Sequence, residues 1–412
     1  AYEILPSLVG SEMCIRDRES GTPFFSILIP TRDRHNLVKD LIGTVLAQSF
    51  EDFELVVADN STTPETQNIL NTISDSRLVN LKTGGLNMAD NWESGIDSCS
   101  GSYLLIFSDK MILKPGSLDY LASYIKKYAP DCVMWAIDAF FDKELTYFES
   151  QSPVSDSIIE PQSLLTQILS SEFDSVSIPC HCNSAISMAV IKSIKAKAGR
   201  ACMQLNPDYT LSYQLMLNLH EIHNLDQAFS ILRYPSLTEG YGNGTSFMKK
   251  GDQAKAFMLD NVDWVKRTDK YTDVRIGSNH FGLDVILKDM YYVLEQYSFN
   301  VNDLMHQDQR HINYYLFTYL ELIFRTNMGV NIDSELKLWK DSLLQEERLI
   351  QDAVYAGTRK FNIRFAYIRL KRALLSIPII KNFTHMLGDK LFRSHGKIFH
   401  SIEDLLNKTT IG

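Results

Sequence analysis

Apolar and polar positions alternate between two rhythms along the first third of the chain. Phe24–Ile29 is a short apolar run with aromatic and β-branched residues, closed by Pro30, and predicts a buried strand. Leu37, Val38, Leu41, Ile42, Val45 and Leu46 then recur at helical spacing and predict one amphipathic helix. Phe53–Ala58 predicts a second strand ending at Asp59, and a turn over Asn60–Pro64 leads into a helix through about Ile73. Leu78–Leu81 reads as a brief third strand. Asn87 is placed to cap a third helix, with Asp90 near its positive end and Met88, Trp92 and Ile96 on one face. Tyr103–Phe107 predicts a fourth strand running into Ser108-Asp109-Lys110. Strands without a polar face, alternating with helices, predict parallel βαβ units covered on both sides.

Further along, a helix is expected after Lys114-Pro115-Gly116 to about Tyr128, strand material over Cys132–Phe148, and helices over Ser184–Lys197 and Asp208–Leu219. From about Lys249 the pattern turns helix-rich and aromatic, with Tyr291, Tyr292, Tyr297, Tyr314, Tyr315, Phe317 and Tyr319. A boundary is expected near residues 245–255, in or just after the run Gly240–Gly244. The organisation is therefore an α/β domain over 21–250 and a helix-rich region over 251–412. Residues 1–20 stand apart as a leader: Ser7–Arg18 resembles a translated adapter read and has no amphipathic period, so it is excluded from fold reasoning.

Composition narrows the function classes. Of 412 residues 45% are hydrophobic and 22% charged, enough to bury a sizeable core. A net charge of −9 argues against a general nucleic-acid binder. Six cysteines without a CxxC pair form no disulfide framework, so reduced thiols and a cytoplasmic location are expected. No apolar run reaches the roughly 18 residues of a membrane span, and no secretory signal is evident. Arg369–Arg393 mixes basic and apolar residues, and two readings stand: peripheral contact with an anionic membrane at its inner face, or a packed helix pair broken at Pro378.

Ligands of open α/β sheets sit at the carboxyl ends of the strands. Thr31, Asp59 and Asp109 each follow directly on a predicted strand and form the candidate constellation. For Asp59 the alternative is a strand-end Asx turn before Ser61. Cys180-His181-Cys182 has the residue types of a zinc site but lacks the further pair that would close a tetrahedron. No GxGxxG follows a strand, which removes the dinucleotide-binding reading.

The stretches FSILIPTRDRHNLVKDLIGTVLAQSFEDFELVVADNSTT and NMADNWESGIDSCSGSYLLIFSDKMILKPGSL resemble family 2 glycosyltransferases, over roughly residues 24–118. The resemblance implies a GT-A fold, a mostly parallel sheet flanked by helices. It implies inverting transfer from a nucleoside-diphosphate sugar to a glycan or lipid-linked acceptor in bacterial surface-polysaccharide synthesis. Pro30 and Thr31 would line the nucleotide pocket, and Asp59 would accept a hydrogen bond from the base, which favours a UDP-sugar. The general base would be a carboxylate near the start of a downstream helix. Asp208 fits, with Pro207 suited to the first turn; Glu221, Asp226 and Glu239 are weaker candidates.

Two positions depart from the family pattern. Ser108-Asp109-Lys110 stands where Asp-x-Asp is usual, so Asp109 alone is left to hold Mg²⁺ or Mn²⁺, and Lys110 is placed to neutralise the leaving diphosphate instead. Asp90 stands where the family has an Arg before the helix Asn; Lys82 or Arg32 would replace that diphosphate contact. His181 is a candidate diphosphate helper or weak metal ligand, against a purely structural histidine. The alternative to an active enzyme is a GT-A domain that has lost catalysis and binds a nucleotide or glycan. A sugar nucleotidyltransferase lacks support, because Pro30-Thr31-Arg32-Asp33 replaces its Gly-rich phosphate loop.

Overall fold

The structure, a computed structural model, describes residues 21–142, 145–150, 155–169, 178–180, 182–203, 206–234, 283–299, 307–327, 332–359, 362, 397–398, 402–409 and 411. The expectations for residues 1–20, His181, Glu239, the 245–255 boundary and Arg369–Arg393 lie outside these residues.

The first half follows the predicted alternation. β1 (Phe25–Thr31), β2 (Phe53–Asp59), β3 (Leu78–Lys82) and β4 (Tyr103–Ile106) interleave with α1 (His35–Leu46), α2 (Glu65–Leu70) and α3 (Met88–Asp97). These four strands are parallel, in the order β3-β2-β1-β4. Side-chain alternation splits the sheet into two cores. Leu28, Val56, Ala58, Leu104 and Ile106 point one way, onto Trp92 and Ile96 of α3. Ile27, Ile29, Leu55, Val57 and Leu105 point the other way, onto Val38, Leu41, Ile42 and Val45 of α1. Each such Leu or Ile, fully buried, contributes roughly 1.5–3 kcal/mol of transfer free energy. Gly95 lets α3 lie close, since a Cβ there would stand 2.5 Å from Leu28 Cδ1.

Beyond β4 the sheet ceases to be parallel. β5 (Met111–Leu113) leaves it, and α4 (Ser117–Tyr128) leads back to β6 (Cys132–Met134). The expected strand material then becomes β6, β7 (Ile137–Phe141) and β8 (Thr146–Phe148), followed by β9 (Ser157–Ile159) and α5 (Pro161–Leu169). Ser184–Lys197 was expected as one helix, but its first four residues form β10 (Ser184–Ser187), and only Met188–Ala198 forms α6. The slot between β4 and β6 decides this: β10 pairs antiparallel with both, and that pairing outweighs a weak local preference. The eight-stranded order is β3-β2-β1-β4-β10-β6-β11-β9, with β11 (Ile222–Asn224) beyond α7 (Pro207–Asn218). A second, five-stranded sheet runs β13-β8-β7-β12-β5, using β12 (Ser230–Tyr234) and β13 (Lys397–Ile398).

The helix-rich C-terminal region is present as α8 (Leu283–Gln296) and the further helices Gln307–Asn327 and Asp333–Leu343. α8 shares the first core through Leu287, Met290, Tyr291, Val293 and Leu294, whereas Tyr314, Tyr315 and Trp339 build a separate cluster. Among the described residues no helix is long and apolar enough to cross a membrane.

Candidate functional site

Strand register assembles the site. Thr31 at the end of β1 lies opposite Asp59 at the end of β2, and Asp59 lies opposite Lys82 of β3. Three residues past β4, Asp109 closes the row, and its Oδ2 accepts the Thr31 hydroxyl at 2.9 Å. Thr31, Asp59 and Asp109 are 3%, 2% and 2% exposed, so three polar side chains are buried together at the strand ends. Buried polar groups are held by hydrogen bonds, and these are. Asp59 Oδ1 accepts the Ser61 amide at 3.0 Å, which is the Asx turn, and Oδ2 accepts Gln67 Nε2 at 2.6 Å.

The loop after β1 separates its two arginines. Asp33 adopts φ 55°, a left-handed conformation that Asp tolerates. Its carboxylate accepts the Thr62 amide at 2.7 Å, and its own amide donates to Ser61 Oγ at 2.9 Å, which ties this loop to the one after β2. Arg32 is left at the exposed apex, 52% accessible, near Asp33. Arg34 turns inward and pairs with Asp109 Oδ1 at 3.0 Å. Nothing in the spacing Arg32-Asp33-Arg34 told the two apart, and Arg34 was missed.

Lys110 is half-buried beside this pair. Burial lowers its pKa, the Arg34 charge adds to that, and Asp109 and Asp208 oppose it by favouring the protonated form. The two residues predicted as catalytic, Lys110 and Asp208, are thereby within each other's electrostatic reach although 98 positions separate them in the chain. Asp208 occupies the first turn of α7 behind Pro207, as the sequence suggested. That turn is braced from α8: Asp289 Oδ2 accepts Asn206 Nδ2 at 2.7 Å and the Asn206 amide at 3.2 Å. Glu93 of α3 secures the preceding loop by accepting the Ala201 and Cys202 amides.

Cys182 holds the Ser108-Asp109-Lys110 segment from the opposite side. Its Sγ accepts the Ser108 amide at 3.3 Å and its carbonyl accepts Ser230 Oγ at 2.6 Å, itself fixed by Trp135 Nε1 at 2.9 Å. It does so at φ 75°, a strained conformation for a non-glycine that costs on the order of 1–3 kcal/mol. Burial pushes its thiol far up, and its hydrogen bonds make it a positioning group for this segment. The sequence offered no signal for this role.

The remaining candidates fall elsewhere. Glu221 pairs with His223 at 3.1 Å beside Tyr124 of α4, and the Asp226 amide donates to Asp156. Lys82 is exposed on its edge strand. Asp90 caps α3 reciprocally with Asn87 and pairs with Arg200 at 2.7 Å, so a cation does approach the position where the family pattern has Arg.

Chemically, this edge offers a carboxylate beside a strand end for a base or ribose, two cations flanking a buried carboxylate for a diphosphate, and a separate half-buried carboxylate for a proton. The chain is 36% identical over 113 residues to the O-antigen biosynthesis protein RfbC of Myxococcus xanthus, covering 26% of this chain and 9% of that protein. It is 27% identical over 119 residues to a PGL/p-HBAD biosynthesis glycosyltransferase of Mycobacterium bovis, covering 28% of this chain and 46% of that protein. The match thus spans less than half the length of either relative. Among solved structures, S. aureus TarS 1–349 superimposes with a TM-score of 0.44 at 16% identity, covering 82% of this chain and 91% of that one. The family model described as Glycosyl transferase family 2 matches residues 26–195, which begin within β1 and run into α6.

Proposed function

We propose that the chain transfers a sugar, with inversion, from a nucleoside-diphosphate sugar to a hydroxyl of a glycan or lipid-linked acceptor. The observation that carries this reading is the cluster at the strand ends: Arg34 pairs with buried Asp109 beside half-buried Lys110, and the Asp208 carboxylate in the first turn of α7 favours the protonated form of that lysine. Asp208 takes the proton of the attacking hydroxyl as general base. The acceptor oxygen bonds to the anomeric carbon as the bond from that carbon to the diphosphate oxygen breaks. The electron pair leaves with the diphosphate, where Lys110 and Arg34 meet the developing charge. Attack opposite the leaving group inverts the anomeric centre. Asp59 faces the base, and a carboxylate acceptor suits an N–H of uracil, so UDP-sugars are the favoured donors.

The relatives' names, O-antigen and PGL/p-HBAD biosynthesis, support an acceptor in bacterial surface-glycan synthesis. Such acceptors are assembled at the cytoplasmic face of the membrane, where this chain would work. A panel of nucleotide sugars tested for thermal stabilisation identifies the donor without knowledge of the acceptor, because a ligand bound only by the native state raises the melting temperature. At least one UDP-sugar is expected to stabilise the chain; no response to any nucleotide sugar would sink the reading. Donor binding without hydrolysis or transfer would favour a binding module over an enzyme.

A further inference from the structure

The family pattern implies a divalent metal beside its Asp-x-Asp segment, and the residues here do not fit one. A hard divalent cation needs several oxygen ligands, with carboxylates as its anchors. Asp109 is the one carboxylate of its segment, and both its oxygens already face donors: Oδ2 the Thr31 hydroxyl at 2.9 Å, Oδ1 the Arg34 guanidinium at 3.0 Å. One of those donors is itself a cation. The next residue is Lys110, whose ammonium repels a metal. Among the described residues no group of three His, Cys, Asp or Glu side chains is placed to hold a metal ion.

Resting on the nucleotide-sugar reading above, we infer that Arg34 and Lys110 together replace the metal, supplying the positive charge that meets the donor's diphosphate. Asp109 then serves as the anchor that aims Arg34. Its carboxylate is 2% exposed, is oriented by Thr31 at the end of β1, and presents Arg34 from a loop pinned by Asp33 to the neighbouring strand end. Lys110 is held from behind, since its carbonyl accepts the Arg233 amide of β12 at 2.9 Å while the adjoining Ser108 amide bonds Cys182 Sγ. Among the described residues no acceptor hydrogen-bonds the Lys110 ammonium, although the side chain is half-buried. A partly desolvated cation without an acceptor is costly to maintain, and an anion entering between Lys110 and Arg34 relieves that cost. The reaction balances without a metal. One C–O bond forms, one breaks, the proton passes to Asp208, and the charge left on the diphosphate is met by two fixed cations.

The test is calorimetric titration of the full chain with UDP, dTDP, GDP and CDP, first in EDTA and then with MnCl₂ in place of the chelator. The expected result is a nucleoside diphosphate that binds in EDTA with an affinity MnCl₂ does not improve. Lys110→Ala should weaken that binding about tenfold or more, as loss of a charge-assisted contact does, while Lys110→Arg retains most of it. Binding of the matching monophosphate should be little affected by Lys110→Ala, which separates diphosphate recognition from a general loss of structure. Nucleotide binding that requires MnCl₂ would overturn the inference and leave the glycosyltransferase reading standing. A folded Lys110→Ala that binds like wild type would also overturn it. Failure of every nucleoside diphosphate to bind under either condition would remove the functional reading and this inference with it. Should Lys110→Ala not fold, the wild-type comparison of EDTA with MnCl₂ still decides.

Discussion

At Asp59 the two readings that the sequence posed as alternatives are compatible. Its carboxylate closes the Asx turn to Ser61 and accepts Gln67, yet a carboxylate has about four lone-pair sites, which leaves room for a ligand N–H. Asp59→Ala is therefore expected to weaken binding of the best nucleoside diphosphate about tenfold and also to cost roughly 1–3 kcal/mol of stability, because the Ser61 and Gln67 donors lose their acceptor. Calorimetry and urea unfolding read the two effects separately. Gln67→Ala is the control, losing stability while Asp59 keeps its access to the base; equal affinity in wild type and Asp59→Ala would take Asp59 out of the site. Thr31, Asp59 and Asp109 were legible because a buried strand that stops at a polar residue marks the ligand edge of an α/β sheet. Arg34 and Cys182 were not. Arg34 is distinguished from Arg32 only by the left-handed turn at Asp33, and Cys182 acts through a bond to a residue 74 positions away.

α7 shows how a local pattern and a distant partner divide the work. Pro207 in the first turn and the acidic Asp208 beside the positive helix end were readable from spacing alone. What braces that turn comes from α8, where Asp289 is fully buried and accepts both donors of Asn206. Asp289→Ala would leave those donors without their acceptor and free the turn that carries Asp208. The expected outcome is a loss of about 1–3 kcal/mol in urea unfolding, together with a kcat that falls more than donor affinity does. A destabilised variant with normal kcat would reduce Asp289 to a purely structural role. The reassignment of Ser184–Ser187 from helix to strand has the same origin: its pairing partners lie about 50 and 80 residues upstream, beyond any local pattern.

The chain returns on itself at its far end. β13 adds to β8, Leu405 enters the small core of Ile112, Phe140, Tyr147 and Ile231, and the Ile411 amide donates to Pro115 at 2.8 Å, a few residues past Lys110. Gly116 permits that contact, since a Cβ there would stand 2.7 Å from the Ile411 carbonyl oxygen. The sequence conveyed an α/β half and a helix-rich half; it did not convey that α8 and the last described residues share cores with the α/β half, because such contacts leave no periodic trace. The first turn of α7 and the Lys110 segment are each braced by other elements, and the central claim is that sugar transfer occurs between them with Asp208 as base. Turnover of the stabilising nucleotide sugar by wild type and by Asp208→Asn tests it most directly, because Asn keeps the shape and removes the basicity. The account predicts that turnover falls by about 10²- to 10⁴-fold while donor affinity stays nearly unchanged. An Asp208→Asn variant that turns over as fast as wild type would contradict it.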